Sequence, residues 1–420
     1  MTVNFNSIIY SISFALDCVE KELIGVATGH SKRVAYISAI IGRELGFSVD
    51  NLSDLVCCAI LHDNALSEYI KTEYEPKKIV HIGTKELGIH CIIGEKNVED
   101  FPFLTDTKGA ILYHHENADG TGPFGKTESE TPIFAQIIHF SDTLDAVNNL
   151  SDMDDEKYKQ VLTYLDNNSG ILFPRRYVEI FKSYFKKEQL QECSEKPIND
   201  LLGEIIPSRL INYDTKQIIS MTNIFAKIID YKSSFTRVHS IGVAEKAAIM
   251  GEFYNYDDDT INKLYIAGAL HDIGKLAVDN SILEKPDKLT NDEYKLIQIH
   301  AFYTYDILSN IEGFSDIARW ASYHHEKLNG KGYPFGKTEK ELDKNDRLLA
   351  CLDIYQALTE NRPYKVGMSH EKTMAVLFDM ADDKLIDKEI VNDINFVFGR
   401  EKGNKSWRGI WTEKYLSQVE

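Results

Sequence analysis

Leu61-His62-Asp63 and Leu270-His271-Asp272 are the same tripeptide placed 209 residues apart, each closing a run of mostly apolar residues. The correspondence extends in both directions. Upstream, His30-Ser31 with Val34-Ala35 matches His239-Ser240 with Val243-Ala244 at the same offset. Downstream, His90 matches His300, Tyr113-His114-His115-Glu116 matches Tyr323-His324-His325-Glu326, and Asp142 with Ala146 matches Asp353 with Ala357. The offset grows only from 209 to 211 across more than a hundred residues. A register this steady marks a duplicated domain, and the 420 residues provide room for two.

Between the motifs the apolar residues recur at three- and four-residue spacing. Ile218, Ile219, Met221, Ile224, Phe225, Ile228 and Ile229 form one such stripe, the pattern of an amphipathic helix. Alternating strand patterns are scarce, so the expected fold is all-α: two tandem helical bundles. Asn280 to Leu283 and the Gly-rich stretch 329–336 read as loops. Pro197, Pro207 and a polar run mark the join, which gives an N-terminal domain at 1–184, a linker at 185–212 and a C-terminal domain at 213–420.

Lys and Arg number 47 against 65 Asp and Glu, for a net charge of −18. That balance argues against binding DNA or RNA polymers or an anionic membrane, and makes any phosphate site a local basic island. The cysteines Cys18, Cys57, Cys58, Cys91, Cys193 and Cys351 include no CxxC pair and read as buried apolar residues in a reducing compartment. No basic n-region opens the chain, and the longest clean apolar run, Leu55 to Leu61, is far shorter than the roughly 20 residues of a membrane span. A cytoplasmic protein is expected.

The repeated positions are almost all His and Asp, scattered over the length of a bundle. A metal centre with one or two inward ligands per helix reads this way. In the second copy the candidate ligands are His239, His271, Asp272, His300, His324, His325 and Asp353. Seven are too many for one ion but suit two, roughly 3.5–4 Å apart, with Asp272 as the candidate bridge. A single helical histidine is more often a core or surface residue than a ligand; five histidines and two aspartates recurring in register are not explained that way. Imidazole and carboxylate without thiolate favour iron or manganese, with nickel or zinc as alternatives.

These residues also carry a family resemblance. His271-Asp272-Ile273-Gly274-Lys275 resembles the signature of the HD superfamily of metal-dependent phosphohydrolases. The run from His324 through Gly330-Lys331-Gly332-Tyr333-Pro334 resembles the motif of its HD-GYP branch. Asp353 through Ala357-Leu358-Thr359 and then Arg362-Pro363-Tyr364-Lys365 match the same branch. The resemblance is close over 215–400 and looser over 5–160. It implies a bacterial second-messenger hydrolase that opens a cyclic dinucleotide, chiefly cyclic di-GMP, to linear pGpG and onward to GMP through a metal-activated water. 3′3′-Cyclic GMP-AMP is the alternative substrate. A diiron oxygenase and a non-catalytic nucleotide sensor are the rival functions; the Gly-Tyr-Pro loop and the Arg-Pro-Tyr-Lys run argue against the first, and Lys275, Arg362 and Lys365 against the second for the whole chain.

Within that reading Asp272 and Lys275 are the candidate catalytic residues. Lys275 follows Asp272 by three residues and shares its helix face, while Arg362 and Lys365 have the spacing of a cationic fork for phosphate; Tyr364 completes the substrate set. Each has an ordinary alternative, as a helix-end lysine or a surface ion-pair former. The Gly-Tyr-Pro loop is either a tight turn shaping the site's mouth or a contact for a protein partner, and a homodimer is a further expectation. Phe235 stands where three-metal members of the family are expected to carry a Glu, which points to two metals. Gln356 replaces a usual Asp and is expected to act behind the ligands.

The first copy keeps a residue at every ligand position: His30, His62, Asp63, His90, His114, His115 and Asp142. Its substrate side differs. Leu66 stands in place of Lys275, Gly120-Thr121-Gly122-Pro123 lacks the tyrosine, and Ser151 and Asp154 fall at the fork positions beside Asp152, Asp155 and Glu156. Such an acidic patch would repel a dinucleotide phosphate. A second metal site in a regulatory or architectural domain is the expectation, against a decayed domain that folds without metal.

Overall fold

The computed structural model describes residues 1–66, 68–69, 84–195, 197–232, 239–283, 285, 287–361 and 366–399. These fall into two compact units, one of Phe5–Arg209 and one of Met1–Asn4 with the chain from Leu210 on. The first unit contains α1 (Phe5–Ile24), α2 (His30–Glu44), α3 (Val49–Leu61), α4 (Thr84–Asn97), α5 (Ile133–Asn148), α6 (Asp155–Asn168), α7 (Arg175–Tyr184), α8 (Lys187–Glu195) and α9 (Ile198–Ile205). The second contains α10 (Thr215–Lys232), α11 (His239–Phe253), α12 (Asp258–Leu270), a 3₁₀ turn (Ile273–Ala277), α13 (Asn280–Leu283), α14 (Asn291–Ser309), α15 (Ser315–Ser322), α16 (Lys344–Thr359), α17 (His370–Asp382) and α18 (Lys388–Phe398). The all-α architecture expected from the periodicity is the one observed. Among the described residues the strands are β1 (Thr2–Asn4) and β2 (Leu210–Asn212), an antiparallel pair with Val3 opposite Ile211. The Met1 ammonium donates to the Tyr213 carbonyl at 3.0 Å, so the first four residues are held in the second unit.

Residues 185–212, expected to be a linker, carry α8 and α9 instead, and bury Leu190, Leu201, Leu202 and Ile206 in the first unit. Pro197 is the N-cap of α9, where a missing N–H breaks no helical bond. The polar run is the outer face of two amphipathic helices. Asn280–Leu283, expected to be loop, forms the single turn α13.

Helix starts and stops place the inward residues. Ser48 caps α3, its Oγ accepting from Asn51 N–H, and Asp257 caps α12 by accepting from Thr260 N–H. Each helix then runs 13 residues and hands over to the His-Asp pair. A capping box of Thr290 and Glu293 opens α14, and Asp343 with Asp346 opens α16. α11 and α12 cross very closely: a Cβ on Gly268 would lie 2.8 Å from Ala244 Cα. The corresponding pair in the first unit is Ala35 and Ala59, both fully buried. Among the described residues no helix is long and apolar enough to cross a membrane.

Candidate metal centre

Each wall of the second bundle delivers its own polar residue. His239 opens α11, His271 and Asp272 follow α12, His300 lies on α14, His324 and His325 follow α15, and Asp353 lies on α16. The structure brings all seven together. His239 Nε2 is 3.0 Å and His271 Nε2 3.8 Å from Asp353 Oδ1. Asp272 faces two ways: Oδ2 lies 3.3 Å from His271 Nε2, whereas Oδ1 lies 3.4 Å from His300 Nε2 and 3.9 Å from His324 Nε2. The ligand atoms of His239, His271 and Asp353 lie within 4.8 Å of one another, as do those of His300, His324 and His325. Two groups of candidate ligands therefore flank the Asp272 carboxylate.

Orientation comes from behind the ligands. Nδ1 of His271, His300 and His324 donates to the carbonyls of Gly268, Ile297 and Ala321 at 2.7, 2.5 and 2.6 Å, each three residues back. Those bonds fix the tautomer and turn each Nε2 inward. Buried His271 Nε2 and Asp272 Oδ1 have no hydrogen-bond partner. Orphaned polar atoms at this depth are costly unless a cation engages them, and nitrogen and carboxylate donors fit divalent ions.

The charge states suit the same occupants. Burial holds the His300 and His325 imidazoles down to about 3 and about 4, so both present neutral lone pairs at neutral pH. Burial also opposes the charge on Asp272, but Lys275 and then the nearby histidines outweigh it and hold the carboxyl well below the usual range. His239 is the exception. Burial lowers it, yet its hydrogen bonds to Asp353 and Glu360 raise it to about 10.

Gly274 has a steric reason. The 3₁₀ turn presses onto α14 so tightly that a Cβ there would lie 2.0 Å from the His300 carbonyl oxygen. Gly274 N–H donates to Thr304 Oγ1 at 3.1 Å, and that hydroxyl donates to the His271 carbonyl at 3.0 Å. In the first copy the small residue changes sides, with Ala65 on the turn and Gly94 on α4.

Lys275 reaches inward, its Nζ 2.5 Å from Asp272 Oδ2. The 3₁₀ geometry aligns residues three apart. Tyr333 packs on His325 with ring centroids 4.6 Å apart. Its loop is tied down by Glu326, which accepts from Phe335 N–H at 2.7 Å and Lys337 N–H at 2.9 Å. Arg362, Tyr364 and Lys365, and also Phe235, lie outside the described residues.

The first unit repeats the pattern. Asp142 Oδ1 is 3.1 Å from His30 Nε2 and 3.7 Å from His62 Nε2. Asp63 Oδ2 is 3.6 Å from His62 Nε2, and Asp63 Oδ1 is 3.2 Å from His90 Nε2 and 3.6 Å from His114 Nε2. His115 lies against His114, centroids 4.0 Å apart. Leu66 is buried among apolar neighbours, Asp154 caps α6, and Ser151 bonds Asn149.

Sequence reasoning missed the carboxylates behind the first histidines. His30 Nδ1 is 2.7 Å from Asp145 Oδ2, and Arg33 clamps Asp145 with two bonds of 2.8 Å. In the second copy the same registers hold Gly242 and Gln356, and His239 Nδ1 is served by Glu360 Oε2 at 2.9 Å, one turn further along. Gln356 Nε2 donates to Glu360 Oε2 at 3.1 Å, and Gln356 Oε1 accepts from Lys246 Nζ at 2.6 Å. The signal was present as a double exchange between the copies, Arg33 with Asp145 against Gly242 with Gln356.

Comparison with known proteins gives a concordant result. HD-domain family models match residues 28–147 and 207–390. The chain is 29% identical to 3′3′-cGAMP-specific phosphodiesterase 1 of Vibrio cholerae over 89% of this chain and 87% of that protein. It is 32% identical to phosphodiesterase 3 of the same name and organism over 80% and 73%. Cyclic di-GMP phosphodiesterase PA4108 of Pseudomonas aeruginosa is 32% identical over 38% of this chain and 39% of that protein. The crystal structure of a cyclic GMP-AMP-specific phosphodiesterase of V. cholerae, V-cGAP3, has a similar fold, with a TM-score of 0.66 and 24% identity over 95% of this chain and 99% of that one.

Proposed function

The chain belongs to the HD-domain family, in its HD-GYP branch, and from that premise we propose that the second unit is a metal-dependent phosphodiesterase that hydrolyses a cyclic dinucleotide. The carrying observation is Asp272, whose two oxygens face two separate groups of buried imidazoles. His239, His271 and Asp353 would hold one divalent ion, His300, His324 and His325 the other, and Asp272 both. A bound pair of ions supplies a water of lowered pKa and neutralises the phosphate oxygens.

The protein's own groups supply the rest. The carbonyl-anchored imidazoles keep the site preorganised. Lys275 sits at the edge of the ligand cluster, where its ammonium can meet a phosphate oxygen or donate a proton to the departing ribose oxygen. Water adds to phosphorus as the P–O bond to that ribose oxygen breaks, which opens the ring to the linear dinucleotide. Arg362, Tyr364 and Lys365 are proposed to bind the second phosphate, and Tyr333 to steady His325. Iron or manganese is the proposed metal, on the all-nitrogen-and-oxygen donor set.

For the bases recognised, the two V. cholerae relatives that span most of this chain are named for 3′3′-cGAMP, while cyclic di-GMP phosphodiesterases such as that of P. aeruginosa match less than half of it. That coverage supports 3′3′-cGAMP over cyclic di-GMP, the sequence's first expectation. The test incubates metal-loaded protein with both nucleotides under reducing, anaerobic conditions, beside His271→Ala and Asp272→Ala. Cleavage by wild type alone, faster for 3′3′-cGAMP, is the expected result. No cleavage of either would favour a sensor, and faster cleavage of cyclic di-GMP would restore the first expectation.

A further inference from the structure

We propose that the first unit holds a metal site of a different kind, in which Cys91 is a ligand to a thiophilic divalent ion of the zinc class. Four observations converge. The first is geometric. Ligand atoms of His90, Cys91, His114 and His115 all lie within 4.8 Å of one another, and Cys91 Sγ is 3.6 Å from His90 Nε2. Metal–sulfur and metal–nitrogen bonds of about 2.3 and 2.05 Å at a tetrahedral angle place the two donor atoms about 3.5 Å apart.

The second lies in the duplicated register. His90 and His300 correspond, so Cys91 takes the position that Ala301 fills in the second copy. The thiol is thus an addition to an otherwise shared ligand set. The third is satisfaction: His114 Nε2 and Asp63 Oδ1, on buried side chains facing this cluster, have no hydrogen-bond partner. A carboxylate oxygen and an imidazole nitrogen left so at depth are the donors a cation would engage.

The fourth is what the site lacks. Leu66 stands buried where Lys275 reaches inward, and the tyrosine that packs on His325 has no counterpart. Catalytic metal sites keep an open position for water or substrate, whereas structural sites are closed by protein ligands. A fifth donor added as the substrate-side residues disappear describes a centre that is closing. Thiolate also shifts preference toward zinc and away from the hard-donor ions. This proposal uses the register shared with the C-terminal centre and does not depend on hydrolysis there.

The experiment uses the full chain, stripped of metal and reloaded with cobalt(II). The C-terminal ligand set has only nitrogen and oxygen donors, so a near-ultraviolet thiolate-to-cobalt charge-transfer band reports the first unit. Wild type and His271→Ala should both show the band. Cys91→Ser should lose it, bind zinc in the first unit at least about tenfold more weakly, and keep cyclic-dinucleotide hydrolysis. Cys91→Ala, which installs the residue type of Ala301, guards against a folding defect, with retained hydrolysis as its control. Cobalt bound without the band in wild type, or a band that persists in both Cys91 variants, would overturn the proposal. A band behaving as expected without hydrolysis by wild type would sustain this site and remove the reading of the other.

Discussion

Glu360→Ala removes the acceptor of His239 Nδ1 and leaves that imidazole free to turn. The bond is 2.9 Å long between side chains only 4% and 7% exposed, so water replaces it poorly. A buried charge-assisted hydrogen bond is worth about 1.5–3 kcal/mol, and loss of a group that orients a metal-bound histidine costs about 10–100-fold in affinity. The two ranges agree, since about 1.4 kcal/mol is tenfold. Metal affinity of the second unit, read by competition with a chromogenic chelator, should therefore fall about 10–100-fold, and saturating metal should recover most of kcat. The first unit supplies the rescue. Asp145, three residues after Asp142, bonds His30 from the register that Gln356 occupies after Asp353. Gln356→Asp added to Glu360→Ala should restore most of the lost affinity, with Lys246, which already donates to Gln356, as counter-charge. A Glu360→Ala variant with unchanged affinity, or a double variant no tighter than the single one, would refute the reasoning.

Lys275→Met should keep both metals and lower kcat by about 10²–10³-fold, the usual effect of deleting one charged donor to the reacting group, with a smaller change in KM; equal loss of metal would make the lysine structural. Gly274→Ala drives a methyl into the His300 carbonyl. An overpacking cost of about 1–3 kcal/mol or more is expected, seen as a lower melting temperature and a lower metal content, and unchanged values of both would contradict the steric reading. Burial, with Asp343 adding to it, raises the Asp346 carboxyl to about 6, above its unfolded value. Its contribution to stability is therefore full below the unfolded value near 4 and lost as pH rises through about 6. The melting temperature of wild type should fall relative to Asp346→Asn from about pH 5 to pH 7, and parallel curves would contradict the assignment.

What could be read from the sequence depended on how far apart the partners lie. The His and Asp positions stood out because the duplication printed the same chemistry twice in one register, and the helical fold followed from the spacing between them. Gln356 was expected to act behind the ligands, and its bond to Glu360 fits that expectation. Glu360 itself was not legible, because serving His239 from seven residues after Asp353 depends on how α16 ends, and the first copy does the same task from three residues after Asp142. The closeness of Cys91 to His114 was not legible, because the two lie on different segments of the chain. Residues 185–212 misled through composition: prolines and polar residues mark linkers, but they also mark the caps and outer faces of short helices such as α8 and α9. The tight seat of Gly274 is a matter of one helix's carbonyl against another turn, which no local pattern records.

The most direct test of the dinuclear centre is element-specific anomalous diffraction from crystals of the full chain grown with iron or manganese. Two peaks in the second unit, one on each side of Asp272 and roughly 3.5–4 Å apart, with His239, His271 and Asp353 around one and His300, His324 and His325 around the other, are the expected result. A single peak, or none within reach of Asp272, would contradict the assignment of these residues to a two-metal site.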